Sequence, residues 1–418
     1  MVSTFHGLET GKRALSVGQA SIATTGHNIA NANTKGYSRQ QVNQSTSPSL
    51  DIWTNSTNPG QLGSGVSIDS ITRVRDRFLD NQHRDQSATL GEAQAKQASF
   101  DRLEGIINEP SDAGLNSVMD QLTNAWQDLE NDPDSASAQA VLKQRAQEFL
   151  DVSESMNNSL NNLKDDLGSQ KTAAIGDANQ YLEQIAQLND SIVRGGNGSN
   201  DLKDQRDVLV EKLSALAPIK VDAQANGSYT INLVQDDGAS VNLVTGTTVN
   251  EMDENTQVDS GKIAGLQASI DKVEEYQNGT GENGQIKGLA GITQEFIDAN
   301  NNNGDGEKLF NADNTVNFAG NITEVPPNLK AETDAVKSDY QKLVSTLGAE
   351  SQSATRSTAN FEATLQATEN RRQSVSGVSL DEEMANLVKF QHSYSAAARL
   401  ITVADQMLDT IINRMAAR

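Results

Sequence analysis

The sequence predicts a mainly α fold: an elongated rod of long helices, a smaller α+β or β-rich outer portion, and N- and C-terminal helices paired as a coiled coil. Three observations predict it. Heptad rows run along both ends, Leu8, Leu15, Ile22 and Ile29 at one and Leu380, Leu387, Tyr394, Ile401, Leu408 and Met415 at the other. A helical pattern spans 135–193, on the order of 85 Å at 1.5 Å per residue and beyond the usual length of a globular helix. Aromatic residues make up only 4% of the 418 residues, which suits narrow seams between long elements better than one broad core.

The elements follow in order. The first helix carries a small second row, Gly11, Gly18, Thr25 and Ala32, which lets another helix approach closely although glycine costs roughly 1 kcal/mol per site. Residues 37–74 read as extended, from Pro48, Pro59 and the apolar positions Val66, Ile68, Ile71 and Val74. Helices are expected over 75–107, with Phe78 and Phe100 on the packing face, and over 113–130. The long helix follows, with Leu142, Phe149, Met156 and Leu163 as a further heptad row.

A turn at 194–200 leads to a shorter helix ended by Pro218. Strands are expected at 219–221, 229–234 and 241–244, separated by the turn pairs Asn226-Gly227 and Asp237-Gly238. Two helical pieces over 258–300, a polar loop at 300–306 and a long helix over 330–375 complete the body. The terminal helix opens on the capping box Ser379 and Glu382, carries a second row of Phe390, Ala397, Ala404 and Ile411, and ends with Arg414 and Arg418 complementing its dipole. The domains expected are an axial unit of 1–36 with 377–418, a helical body of 37–195 with 326–376, and an acidic outer domain of 196–325.

Charge sharpens this division. There are 33 basic and 56 acidic residues, a net of −23. Residues 196–325 hold 8 basic and 21 acidic ones, whereas 1–40 carry +3 and 377–418 carry −1, so the centre reads as solvated and the ends as packing surfaces. The balance argues against nucleic acid as a partner. The absence of cysteine excludes disulfides, thiolate metal sites and cysteine nucleophiles.

No run of about 18 apolar residues marks a membrane span, so no membrane partner is expected. The N-terminus lacks the apolar core of a cleaved signal peptide, which leaves the cytoplasm or export without cleavage. The run Gly279–Gly284 matches a dinucleotide fingerprint by letter without a preceding strand, and Asp298, Asn300 and Asn302 open a calcium loop that lacks its glycine and glutamate. Four scattered histidines offer no metal spacing. No catalytic or metal-binding residue and no cofactor is expected, and the chain does not read as an enzyme.

The segment from Asn28 through Asn31, Asn33, Thr34, Gly36 and Tyr37 to Gln40 resembles the N-terminal signature of bacterial flagellar axial proteins, a family of rod, hook and hook-associated proteins. Residues 376–387 (SGVSLDEEMANL) look like the matching C-terminal signature. The Gly-Tyr-Ser-Arg-Gln ending and three internal blocks, 66–82, 200–213 and 340–348, resemble the hook–filament junction members of that family. The resemblance implies type III export, with help from an export chaperone, and a structural role in a ring of identical copies at the end of the hook. Hook protein would lie on one side and the next junction protein on the other. It places the chain in the flagellum after secretion and in the cytoplasm before. Another axial protein (hook protein or second junction protein), or a coiled-coil interaction protein outside the flagellum, remains the alternative.

On this reading the assembly interface comprises Leu8, Leu15, Ile22, Ile29, Leu380, Leu387, Phe390, Tyr394, Ile401, Leu408 and Ile411. Gross burial of such rows is worth well above 10 kcal/mol at about 1.5–3 kcal/mol per large side chain. Ordering costs roughly 1–2 kcal/mol per residue, so the ends are expected to be mobile in a free chain and to order as copies pack. Residues 28–37 would be the hinge, with Gly36 supplying backbone freedom.

Overall fold

The computed structural model describes residues 5–52, 60–109, 111, 114–235, 238–279, 287–302 and 306–410. The expected turn residue Asp237, most of the 279–284 run, and Ile411, Arg414, Met415 and Arg418 lie outside them.

The chain opens with helix α1 (His6–Ala30) and a β-ribbon in which β1 (Gln40–Thr46) pairs antiparallel with β4 (Val66–Arg73). Between them β2 (Leu50–Ile52) pairs with β3 (Gly60–Leu62). Helix α2 (Arg77–Ile107) follows, started by Asp76, whose side chain accepts from the Phe78 amide. Then come α3 (Leu115–Asn131) and the 60-residue α4 (Ala136–Gly195), which starts at Ser135 and is about 90 Å long.

Helix α5 (Asn200–Leu216) leads into an antiparallel meander of β5 (Ile219–Ala223), β6 (Tyr229–Val234), β7 (Ser240–Thr245) and β8 (Thr248–Val249). The expected Asn226-Gly227 turn joins the first two strands, with Gly227 at φ +88°. Helices α6 (Gly261–Asn278), α7 (Leu289–Asn301), α8 (Leu329–Ser376) and α9 (Leu380–Asp409) complete the order. The fold class is therefore the one the sequence predicts.

One apolar cluster runs from Ala95 to Leu347 and contains no residue of α1 or α9. Its largest members, Trp126, Phe149, Tyr276, Phe296, Phe310 and Tyr340, are fully buried. The Trp126 indole donates to Asn300 at 2.7 Å, and the Phe149 and Phe296 rings meet at 4.5 Å. Residues 196–325 share this core and do not form one of their own: Val210 and Leu213 of α5 and Ile263, Leu266 and Val273 of α6 lie in it beside α4 residues. Net charge does not reveal the apolar faces of these elements, nor that Asp204 and Asp207 of α5 are themselves buried.

Candidate assembly interface

Helices α1 and α9 pack antiparallel, and their closest approach uses the small row of α1. A methyl group added at Gly11 would stand 2.7 Å from Ile401 Cγ1, and one at Gly18 would stand 3.4 Å from Tyr394 Cβ. Gln19 reaches the Tyr394 hydroxyl at 3.5 Å. The buried residues of α1 are Gly11, Val17, Gly18, Ser21, Thr24, Thr25 and Asn28. Leu8, Leu15, Ile22 and Ile29 flank this face and stay half-buried, as do Leu387, Phe390, Tyr394, Ile401 and Leu408 on α9.

Leu380 is 48% exposed and takes no part in the seam. Asn28 lies opposite Glu383, so α1 ends where α9 begins and nothing covers the first residue of α9. The apolar character of α9 is not exhausted by its contact with α1. Met384, Val388, Leu400, Val403 and Met407 are exposed as well.

The two terminal signatures meet in a polar clasp. Glu383 is 2% exposed, accepting from the Asn28 amide at 3.0 Å and pairing with Arg39 Nε at 2.8 Å. Arg39 Nη1 also reaches Glu382 at 3.1 Å, and the Arg39 backbone donates to the Ser376 carbonyl at 2.9 Å. Asn28 is fully engaged: its amide also donates to the Gln40 carbonyl, and its carbonyl oxygen accepts from the Gln40 amide and the Tyr37 hydroxyl. The Tyr37 hydroxyl lies 2.9 Å from His27 Nδ1, and burial together with Asp201, Asp204 and Glu383 pushes it well above its ordinary pKa.

Ser379 caps α9 by accepting from the Glu382 amide, and Asp381, Glu382 and Glu383 complement the dipole of its first turn. Asn31 donates to His27 O and accepts from Thr34, closing the turn that leaves α1, while the side chain of Asn33 is exposed. Gly36 sits at φ +80° against α5, where a Cβ would stand 2.1 Å from Val208 Cγ2. The segment read as a hinge is thus tied at both ends by hydrogen bonds.

A buried ion network anchors the clasp to the body, and sequence reasoning did not find it. Ser38 donates to Asp204 from its amide and its hydroxyl, at 3.1 and 2.8 Å. Arg73 bridges Asp204 and Asp207, each at 2.7 Å, and Arg75 bridges Asp207 and Asp80 at 2.6 and 2.7 Å. Arg372 of α8 joins from the far side, pairing with Glu211 and Glu369. Burial would raise the Asp207 carboxyl, but Arg75 and Arg73 outweigh it and hold the group below the usual range. The only signal available in sequence was that blocks 66–82 and 200–213 both carry the family resemblance, and these are the blocks that meet here.

No helix among the described residues is long and apolar enough to cross a membrane, and no described cluster of His, Asp or Glu could hold a metal. Residues 100–309 match the family model described as the flagellar hook-associated protein FlgK helical domain. Residues 8–37 match the flagella basal body rod protein model and 370–415 the C-terminal model of basal body rod FlgEFG proteins, so the clasped ends are the parts of rod-protein type. Flagellar hook-associated protein 1 of Bacillus subtilis is 31% identical over 513 aligned positions, covering 99% of both chains. The protein of the same name from Salmonella typhimurium is 27% identical over 245 positions, covering 57% of this chain and 42% of its own length. The solved flagellar hook junction protein FlgK from Burkholderia pseudomallei aligns at a TM-score of 0.46 and 22% identity, covering 54% of this chain and 44% of its own.

Proposed function

This chain belongs to the flagellar hook-associated protein 1 family, and from that premise we propose that it forms the ring of copies joining hook to filament. It is a structural component of the flagellum, associated with other axial components, and not an enzyme. The finer reading places hook protein on one side of the ring and the next junction protein on the other, after type III export assisted by a chaperone.

The observation that carries the reading is the α1–α9 pair. Its clasped end is fixed to the body, while α9 presents exposed apolar side chains along its length, from Met384 and Val388 beside the clasp to Leu400, Val403 and Met407. Patches of that kind on a chain otherwise rich in charge mark contact surfaces. Covering Met384, Val388, Leu400, Val403 and Met407 with neighbouring copies contributes about 1 kcal/mol each, since roughly half of each side chain is still in water. The pair therefore completes its burial only on assembly, and its distal half is loose in the free chain.

Deleting the gene is expected to leave intact hooks without filaments under the electron microscope, with restoration by the wild-type chain. Leu387→Asp, at a half-buried seam position outside the body core, is expected to abolish restoration while the full-length variant keeps the melting temperature of its body core. Filaments formed normally by that variant would refute the seam as the assembly surface.

A further inference from the structure

A cleft of about 800 Å³ opens beside β4, β6 and the start of α5, lined by Arg73, Arg75, Arg77, Lys203 and Arg206. The floor is balanced, because Arg73 and Arg75 are committed to Asp80, Asp204 and Asp207. The walls are not. Among the described residues Arg77, Lys203 and Arg206 have no carboxylate at ion-pair distance, although acids outnumber bases 56 to 33 in the chain.

Arg206 is 1% exposed, donates to Asn189 and the Gly227 carbonyl, stacks 3.4 Å over the Tyr229 ring, and keeps a buried Nε without an acceptor. Burial and the nearby Arg73 and Arg206 push the Lys203 ammonium below its ordinary value despite the opposing pull of Asp207. Lys203 is thus partly desolvated and, among the described residues, has no carboxylate at ion-pair distance. An entering anion would pair with it in that setting, where charge pairing is stronger than at open surface.

Charge complementarity points to a second copy: the cleft gathers five basic side chains on a chain whose net charge is −23. Phe78, in the first turn of α2, is 73% exposed rather than on the packing face that the sequence suggested, and it does not line the cleft. Each copy of the chain also supplies many carboxylates, 21 of them within 196–325.

We propose that this cleft is an intersubunit socket that receives an aspartate or glutamate side chain from a second copy of the chain. The proposal rests on the ring reading above. Zero-length carbodiimide coupling, which joins an amine to a carboxylate only in contact, tests it on flagella isolated from cells and on the free full-length chain. The expected product is a Lys203 cross-link to an acidic residue of this same chain, present in flagella and absent from the free chain.

A cross-link to another axial protein, an equal cross-link in the free chain, or none at Lys203 would each overturn the socket. In cells, the double variant Arg77→Gln, Lys203→Gln is expected to lower filament number about tenfold, the loss of roughly 1.4 kcal/mol of contact energy. Its free chain should melt like the wild type, since neither side chain serves the core. Wild-type filament numbers in that variant would also overturn the proposal. Failure of the wild-type chain to restore filaments would instead remove the ring reading beneath it.

Discussion

Removing the Glu383 carboxylate isolates what the clasp contributes. Glu383 is 2% exposed and holds Arg39 Nε and the Asn28 amide together. Breaking a buried pair costs about 3–5 kcal/mol when the partner is stranded. Here the partner is not stranded: Arg39 keeps Glu382 at 3.1 Å and Asn28 keeps the Gln40 carbonyl. Glu383→Ala is therefore expected to cost less than that, about 2–3 kcal/mol, and the loss should be local, because the body core contains no residue of α1 or α9. Amide exchange near the clasp, at 17–28 and 383–394, should accelerate roughly 30- to 150-fold at 1.4 kcal/mol per decade, with the body unchanged. Glu382→Ala is the control, since that side chain is 63% exposed and such pairs are worth about 0–1 kcal/mol. Equal effects from the two variants would refute the idea that burial, not charge at the helix start, makes the clasp.

Three further outcomes follow from the same geometry. Gly18→Leu drives a side chain into Tyr394, with overpacking of about 1–3 kcal/mol, and should reduce filament number while leaving the urea midpoint of the body unchanged. Gly36→Ala meets both φ +80° and Val208, so its cost should exceed the ~1–2 kcal/mol of backbone strain alone; adding Val208→Ala should recover only the steric part in chemical denaturation. Burial and Arg372 hold His83 below its ordinary value of 6.5, so its contribution is complete above that pH and is lost as pH falls through the lower folded value. Urea midpoints of His83→Gln should accordingly be flatter than wild type below about pH 6.5, by up to about 1.4 kcal/mol per pH unit.

Local signals were readable where one stretch of chain decides the outcome. Ser379 and Glu382 marked the start of α9, Asn226-Gly227 marked the β5–β6 turn, and the heptad rows of 142–163 marked the long α4. The unread features all depend on pairing across distance. Arg73 and Asp204 lie 131 residues apart, and nothing local to either distinguishes a buried network from a solvated face. The same reason hid the core that 196–325 shares with α4, because a count of acidic residues does not say which faces are apolar. On α1 both rows were legible, but which one makes the closest contact depends on how near α9 comes, and that distance is not written in either helix alone.

The clasp also explains why so few large side chains suffice at the ends of the chain. Seven aromatic residues are buried in the body core, whereas the α1–α9 contact is made over glycine, serine and threonine with Tyr394 and Ile401. A seam of that kind has little shape to prevent sliding, and a heptad repeat looks alike after a shift of seven residues. Polar residues remove the degeneracy. Slipping α9 by one heptad would carry Glu383 away from Asn28 and Arg39 and leave a buried carboxylate unmatched, a penalty of several kcal/mol that no apolar contact in the row would recover. Asn28, Arg39 and Glu383 thus fix one register of α9 against α1.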